Sequence, residues 1–283
     1  MGSQKGAYAN EPKIIAGPML TMVSPDELVV WFQADRLATF GVYVIGTHGD
    51  CVHPRKYVKA ELVSEKQRIF LLRRKIKLPS YWQVFIAWSD QEEVTDHWDW
   101  KTLLEMNFRP SGLPPPLGKP GKYVFAFGSC SHQEKFCEAQ PVWTAVAAEK
   151  PDCFLFIGDN MYLPSDPADY PKTREAVRDL FCDAYDRERC VAEKQALLRS
   201  TLSFAIWDDH DYGPNNADRR WKWKDVALEA LELYYPNNYG LPDARGCFPT
   251  AISTYSCWMT ARFAIRTRIR RERRCSATGN WHG

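Results

Sequence analysis

The stretch DCFLFIGDNMY, Asp152 to Tyr162, decides how the chain is read. Its first half is a short, unbroken apolar run rich in large side chains, which predicts a strand. Its second half turns abruptly polar, with Asp159, Asn160 and Tyr162. The same arrangement stands on either side. Upstream, KYVFAFGS (122–129) predicts a strand that runs into Ser129, Cys130 and His132. Downstream, LSFAIW (202–207) predicts a buried strand that runs into DDHDYGPNN (208–216). Between them QPVWTAVAAEK predicts a helix, a long helical region spans roughly 172–199, and WKWKDVALEALELYY predicts another helix. Alternating strands and helices indicate an α/β domain, whose chemistry collects at the carboxyl ends of the strands. All three polar clusters therefore converge on one sheet edge.

Further out the rhythm differs. LVVWFQ (28–33), FGVYVI (40–45), RIFLLRR (68–74) and YWQVFIAW (81–88) are β-branched or aromatic-rich, with short polar turns between them. Strands in succession without a long helix predict a β-sandwich of immunoglobulin or fibronectin type over residues 12–108. Trp31, Trp82 and Trp88 are read as core or sheet-face residues, with carbohydrate stacking as the alternative. The segment RPSGLPPPLGKPGK (109–122) reads as a linker and domain boundary. The α/β part then occupies residues 123–248.

Bulk properties narrow the class. The 283 residues are 45% apolar and 25% charged, as in a globular protein. No apolar run approaches the roughly 20 residues needed to span a bilayer, so no membrane partner is expected. No complete signal peptide stands at the start, although Ala7-Tyr8-Ala9 resembles the end of a cleavage site. Compartment stays open on that evidence, a periplasmic or secreted location fitting a misplaced start, and oligomeric state is not legible. Nine cysteines at irregular spacings give no C-x-x-C pair and no zinc pattern. Net charge is +2, but seven arginines and one glutamate crowd residues 262–274, on a body that is otherwise mildly acidic.

Clustered aspartates at a strand end repel unless something positive sits among them. A thiol, carboxylates, a phenol, an imidazole and an amide oxygen form a mixed soft and hard donor set, suited to a transition metal and an oxygen-loving divalent cation. Each residue alone has a plainer role open to it. Cys130 fits a small buried apolar side chain, Asp159 a helix cap, Tyr162 a packing residue with a polar tip. His210 among carboxylates is read as functional. Ser131 with His132 as nucleophile and base is disfavoured, because no G-x-S-x-G elbow exists. A polar turn of Asx caps is the plainer account of 208–216 taken alone.

Taken in order, FGSC, QPVW, PDCFLFIGDNMY and WDDHDYGPNN resemble the motifs of the alkaline phosphatase D family of metallophosphatases. The opening GPML and VVWFQ resemble that family's accessory domain, and the likeness runs from about residue 15 to 248. The resemblance implies an iron and calcium centre that hydrolyses phosphate monoesters or diesters, by attack of a metal-bound hydroxide on phosphorus. It places Cys130 on iron, Asp159 as the bridging carboxylate, Tyr162, Asp208 and Asn215 (with Asn216 adjacent) among the metal ligands, and Asp209 and His210 among the catalytic groups. A non-catalytic binding protein, or an inactive remnant of the phosphatase, is the alternative.

From about residue 249 the resemblance stops. The family supplies its remaining ligands from later strands, whereas TAISTYSCWMTARFAIRTRIRRERRCSATGNWHG has no coherent apolar period. Because tryptophan and methionine each have one codon, Cys257-Trp258-Met259-Thr260 read one nucleotide earlier forces Leu-Asp-Asp. Read the same way, Asn280-Trp281-His282-Gly283 can give Gln-Leu-Ala-Trp. The family has LDDR-like and Q-x-x-W elements at this point. The basic tail 249–283 is therefore expected to be out-of-frame sequence, which needs no nucleic-acid partner. Weak or absent phosphatase activity is expected of the chain as written.

Overall fold

A computed structural model describes residues 11–24, 27–46, 57–75, 82–94, 99–108, 124–132, 139–217 and 220–236. The linker 109–122 and the tail 249–283 lie outside these residues. In the first half, strands β1 (Ile14–Ser24), β2 (Glu27–Ala34), β5 (Glu61–Ser64) and β6 (Ile69–Lys75) form one antiparallel sheet in the order β1-β2-β6-β5. Strands β3 (Thr39–Gly46), β4 (Val58–Lys59), β7 (Trp82–Ser89) and β8 (Lys101–Phe108) form a second, in the order β4-β3-β7-β8. Four of these, β1, β4, β5 and β8, go beyond the strands that alternation predicts.

Side chains alternate along each strand, and the interior follows that period of two. Leu28, Val30 and Phe32 of β2, with Phe70 and Leu72 of β6, meet Phe40 and Val42 of β3 and Val84 and Ile86 of β7 in one core. Phe32 stacks on Phe70 at 5.4 Å, and Phe40 meets Phe70 edge-on at 4.6 Å. The two antiparallel sheets thus share an apolar interior. Trp88 is buried beneath the Lys101 ammonium, 4.7 Å from its ring, while nothing is described of the Trp82 side chain.

The second half holds a parallel sheet of β9 (Phe125–Gly128), β10 (Cys153–Ile157) and β11 (Leu202–Ile206), in the order β11-β10-β9. Helix α1 (Pro141–Ala148) connects β9 to β10. Helices α2 (Arg174–Arg189) and α3 (Ala192–Ser200) connect β10 to β11. The predicted helical stretch 172–199 is thus two helices, broken at Cys190 and Val191. Thr173 caps α2 by accepting from the Ala176 amide at 3.3 Å, and Arg187 and Arg189 sit in its last turn, where the helix dipole favours cations. After the single turn α4 (Asp209–Tyr212), α5 (Lys224–Tyr234) buries Val226, Ala227, Ala230, Leu231 and Tyr234, a stripe at helical spacing.

A second core joins the halves. The alternate residues of β2 and β6, Val29, Trp31, Ile69 and Leu71, face the helices and pack with Phe154, Phe156, Phe181 and Tyr185. The β1-β2-β6-β5 sheet is therefore covered on both faces. Arg189, fully buried, lies over the rings of Trp31 at 4.7 Å and Tyr235 at 4.1 Å, and donates to the Tyr234 carbonyl at 2.5 Å. Trp31 Nε1 donates to the Leu233 carbonyl at 2.9 Å.

Candidate metal centre

Strand register brings the candidate residues to one level. Gly128 at the end of β9 pairs with Phe156, and Ile157 at the end of β10 pairs with Ile206 at the end of β11. The ladder continues past the strands, with Cys130 N donating to Gly158 O at 3.4 Å and Ser131 N to Asp159 O at 3.1 Å. Cys130 (φ 61°) and Asp159 (φ 50°) both adopt the left-handed conformation, next to Gly158 at φ 98°. Such a backbone costs a residue with a Cβ roughly 1–2 kcal/mol, so its occurrence at two adjacent strand ends marks a place where neighbours impose the geometry.

Asp159 is the hub. Its carboxylate and those of Asp209, with a ring nitrogen of His210, lie within 4.8 Å of one another. Asp159 Oδ2 accepts from the Tyr162 hydroxyl at 3.0 Å and the Cys130 thiol at 3.5 Å, and Oδ1 accepts from the His210 amide at 3.4 Å. Asp209 Oδ2 accepts from the Asn216 amide at 2.5 Å. The Tyr162 ring sits between two imidazoles, 4.2 Å from His132 and 4.4 Å from His210. Burial, reinforced by the Cys130 and Asp159 contacts, raises the Tyr162 phenol far above its usual range. The phenol therefore stays protonated and donates; binding as phenolate would require a nearby cation.

These residues fit a metal ion by their chemistry. Two carboxylates at this range, one of them buried, repel without a proton or cation between them. The His210 Nδ1 is buried and has no hydrogen-bond partner, as expected of a nitrogen kept for a ligand. Carboxylate, imidazole, phenol and thiol together suit a transition ion.

The structure brings Cys130, Asp159, Tyr162, Asp209 and His210 together. Asp208 has another occupation here. It is exposed, and its side chain caps α4 by accepting from the Asp209 amide at 2.9 Å. Asn215 is exposed in the turn after α4, one residue before the amide that touches Asp209.

Asp211 is the member that sequence reading passes over. It is fully buried, and its carboxylate accepts from the amides of Asn160 (3.0 and 3.1 Å) and Asp208 (3.1 Å) and from the Tyr185 hydroxyl (3.1 Å). Burial pushes its carboxyl up to about 7 against the pull of these donors. Asn160 also donates to the Ile206 carbonyl at 2.7 Å. The β10 and β11 loops are thus clamped together, which sets the separation of Asp159 from Asp209 and His210. The D-x-x-D spacing of Asp208 and Asp211, a capping box, is the signal that could have found it.

A solved structure of PhoD resembles this chain with a TM-score of 0.52 at 15% identity, over 81% of this chain and 45% of that one. The fold is PhoD-like. This chain accordingly spans about half the length of the PhoD chain it matches. No family model and no curated protein sequence match.

Proposed function

We propose that the chain carries the metal-holding edge of a phosphoesterase site, acting on phosphate monoesters or diesters. The convergence of Asp159, Asp209 and His210 at the strand ends carries this reading, and the PhoD-like fold supports it. Cys130, Asp159, Tyr162, Asp209 and His210 would hold the metal, with iron and calcium as the ions proposed and Asp208 and Asn215 as further ligands after movement of their side chains. Metal supplies charge neutralisation on phosphoryl oxygens and a lowered pKa for water. The protein's own groups do the rest. Asp159 and Asp209 fix the donors, and Tyr162 holds Asp159 in place. His210, set beside the two carboxylates, would offer its unpartnered ring nitrogen as the further donor to the metal.

We infer further that the ligands the resemblance implies beyond residue 248 are lost here to out-of-frame reading. Turnover by the chain as written is therefore expected to be low, and the test uses a version with residues after 248 read one nucleotide earlier. That version should hydrolyse p-nitrophenyl phosphate or its bis-ester in a metal-dependent manner, and Asp159→Asn should reduce the rate by about 100-fold or more. Metal-loaded protein that turns over neither ester would overturn the proposal.

A further inference from the structure

A charged pair lies buried below the Cys130 loop. Lys194 on α3 and Glu188 on α2 have side chains 0% and 6% exposed, with Nζ 3.0 Å from Oε2. Lys194 also lies over the rings of Trp143 and Phe156, at 5.2 and 5.3 Å. Buried ion pairs seldom repay their desolvation, so stability alone is a weak account of this one.

The contact on the other side of Glu188 supplies one. The same Oε2 accepts from the Ser131 hydroxyl at 2.9 Å. Ser131 also approaches Gln140 Oε1 at 3.5 Å, an oxygen anchored by Trp143 Nε1 at 2.5 Å. Ser131 stands between two residues that matter. Cys130, in the left-handed conformation, sets its thiol against Asp159, and His132 stacks on Tyr162. A hydroxyl tied to a carboxylate that is itself held by an ammonium cannot wander, and its neighbours inherit that restraint.

We propose that Glu188, charge-compensated by Lys194, is a positioning residue that acts through Ser131 to fix the Cys130 thiol and the His132 ring at the site. The metal arm of this inference rests on the reading of Cys130 as a ligand; the positioning arm does not. Both arms use the full chain, with cobalt(II) as the probe. Wild type should show a thiolate-to-cobalt absorption band that Cys130→Ser removes. Glu188→Gln and Ser131→Ala should weaken cobalt binding about 10–100-fold and diminish that band, with Ser131→Thr restoring both. Ser131→Ala leaves the ion pair in place and so tests the idea even if Glu188→Gln fails to fold. In metal-free protein, Ser131→Ala should also let iodoacetamide reach Cys130 faster. Equal cobalt affinity and equal alkylation rates in wild type and Ser131→Ala would overturn the proposal. Should wild type lack the band, the ligand reading of Cys130 fails, and the alkylation rates alone decide the positioning role.

Discussion

Asp159 takes hydrogen bonds from three parts of the chain, the thiol of Cys130, the hydroxyl of Tyr162 and the amide of His210, whereas Asp211 gathers donors that belong to the scaffold. The two carboxylates should respond differently to substitution. Asp211→Ala leaves the buried Asn160 amide and Tyr185 hydroxyl without an acceptor, at about 1–3 kcal/mol each, and frees the part-buried Asp208 amide as well. The expected result is a melting temperature lowered by many degrees, and an unchanged one would contradict the clamp. The cysteines offer a second check. Burial pushes the thiols of Cys153 and Cys182 up to about 12, while Cys130 is exposed. Peptide mapping after alkylation of the native protein near pH 8 should therefore find Cys130 modified and those two intact. The meeting of Cys130, Asp159, Tyr162, Asp209 and His210 is legible in the sequence because each stands within five residues after the end of a strand of the parallel sheet. The Glu188–Lys194 pair is not, because its partners lie on two helices and its third contact, Ser131, is more than fifty residues away in sequence.

At the scale of elements, the close approach of the β10 and β11 ends depends on Gly158. A Cβ there would stand 2.5 Å from the Cβ of Asp208, on a backbone at φ 98°. Gly158→Ala should cost about 1–3 kcal/mol in backbone strain alone, before the clash is counted. It should also spread the Asp159 and Asp209 loops, so that metal binding falls together with stability. Wild-type metal affinity in that variant would show that the loops tolerate separation. The parallel sheet is readable from its apolar runs, because strand, helix and strand differ in period. The cover on the second face of the β1-β2-β6-β5 sheet is not. The run LVVWF is nearly continuous, which shows burial on both faces in retrospect, but no period in β2 says that α2 and α5 supply the cover.

Across the whole molecule, Trp31 and Arg189 tie the antiparallel half to the helical half through one continuous core. A proline-rich linker in the sequence suggests two domains, yet a shared interior of this kind predicts a single cooperative unfolding transition, measurable by calorimetry. Trp31→Ala should lower stability by about 3–5 kcal/mol and shift that whole transition, whereas two separate transitions in wild type would contradict the coupling. The same architecture holds three strand ends at one level, where the proposed cation would sit. The most direct test is elemental analysis of the full chain after exposure to iron and calcium and removal of unbound metal, beside Asp159→Asn. Wild type should retain metal and Asp159→Asn should lose it; a wild-type chain that retains none, or a variant that retains as much, would contradict the metal centre.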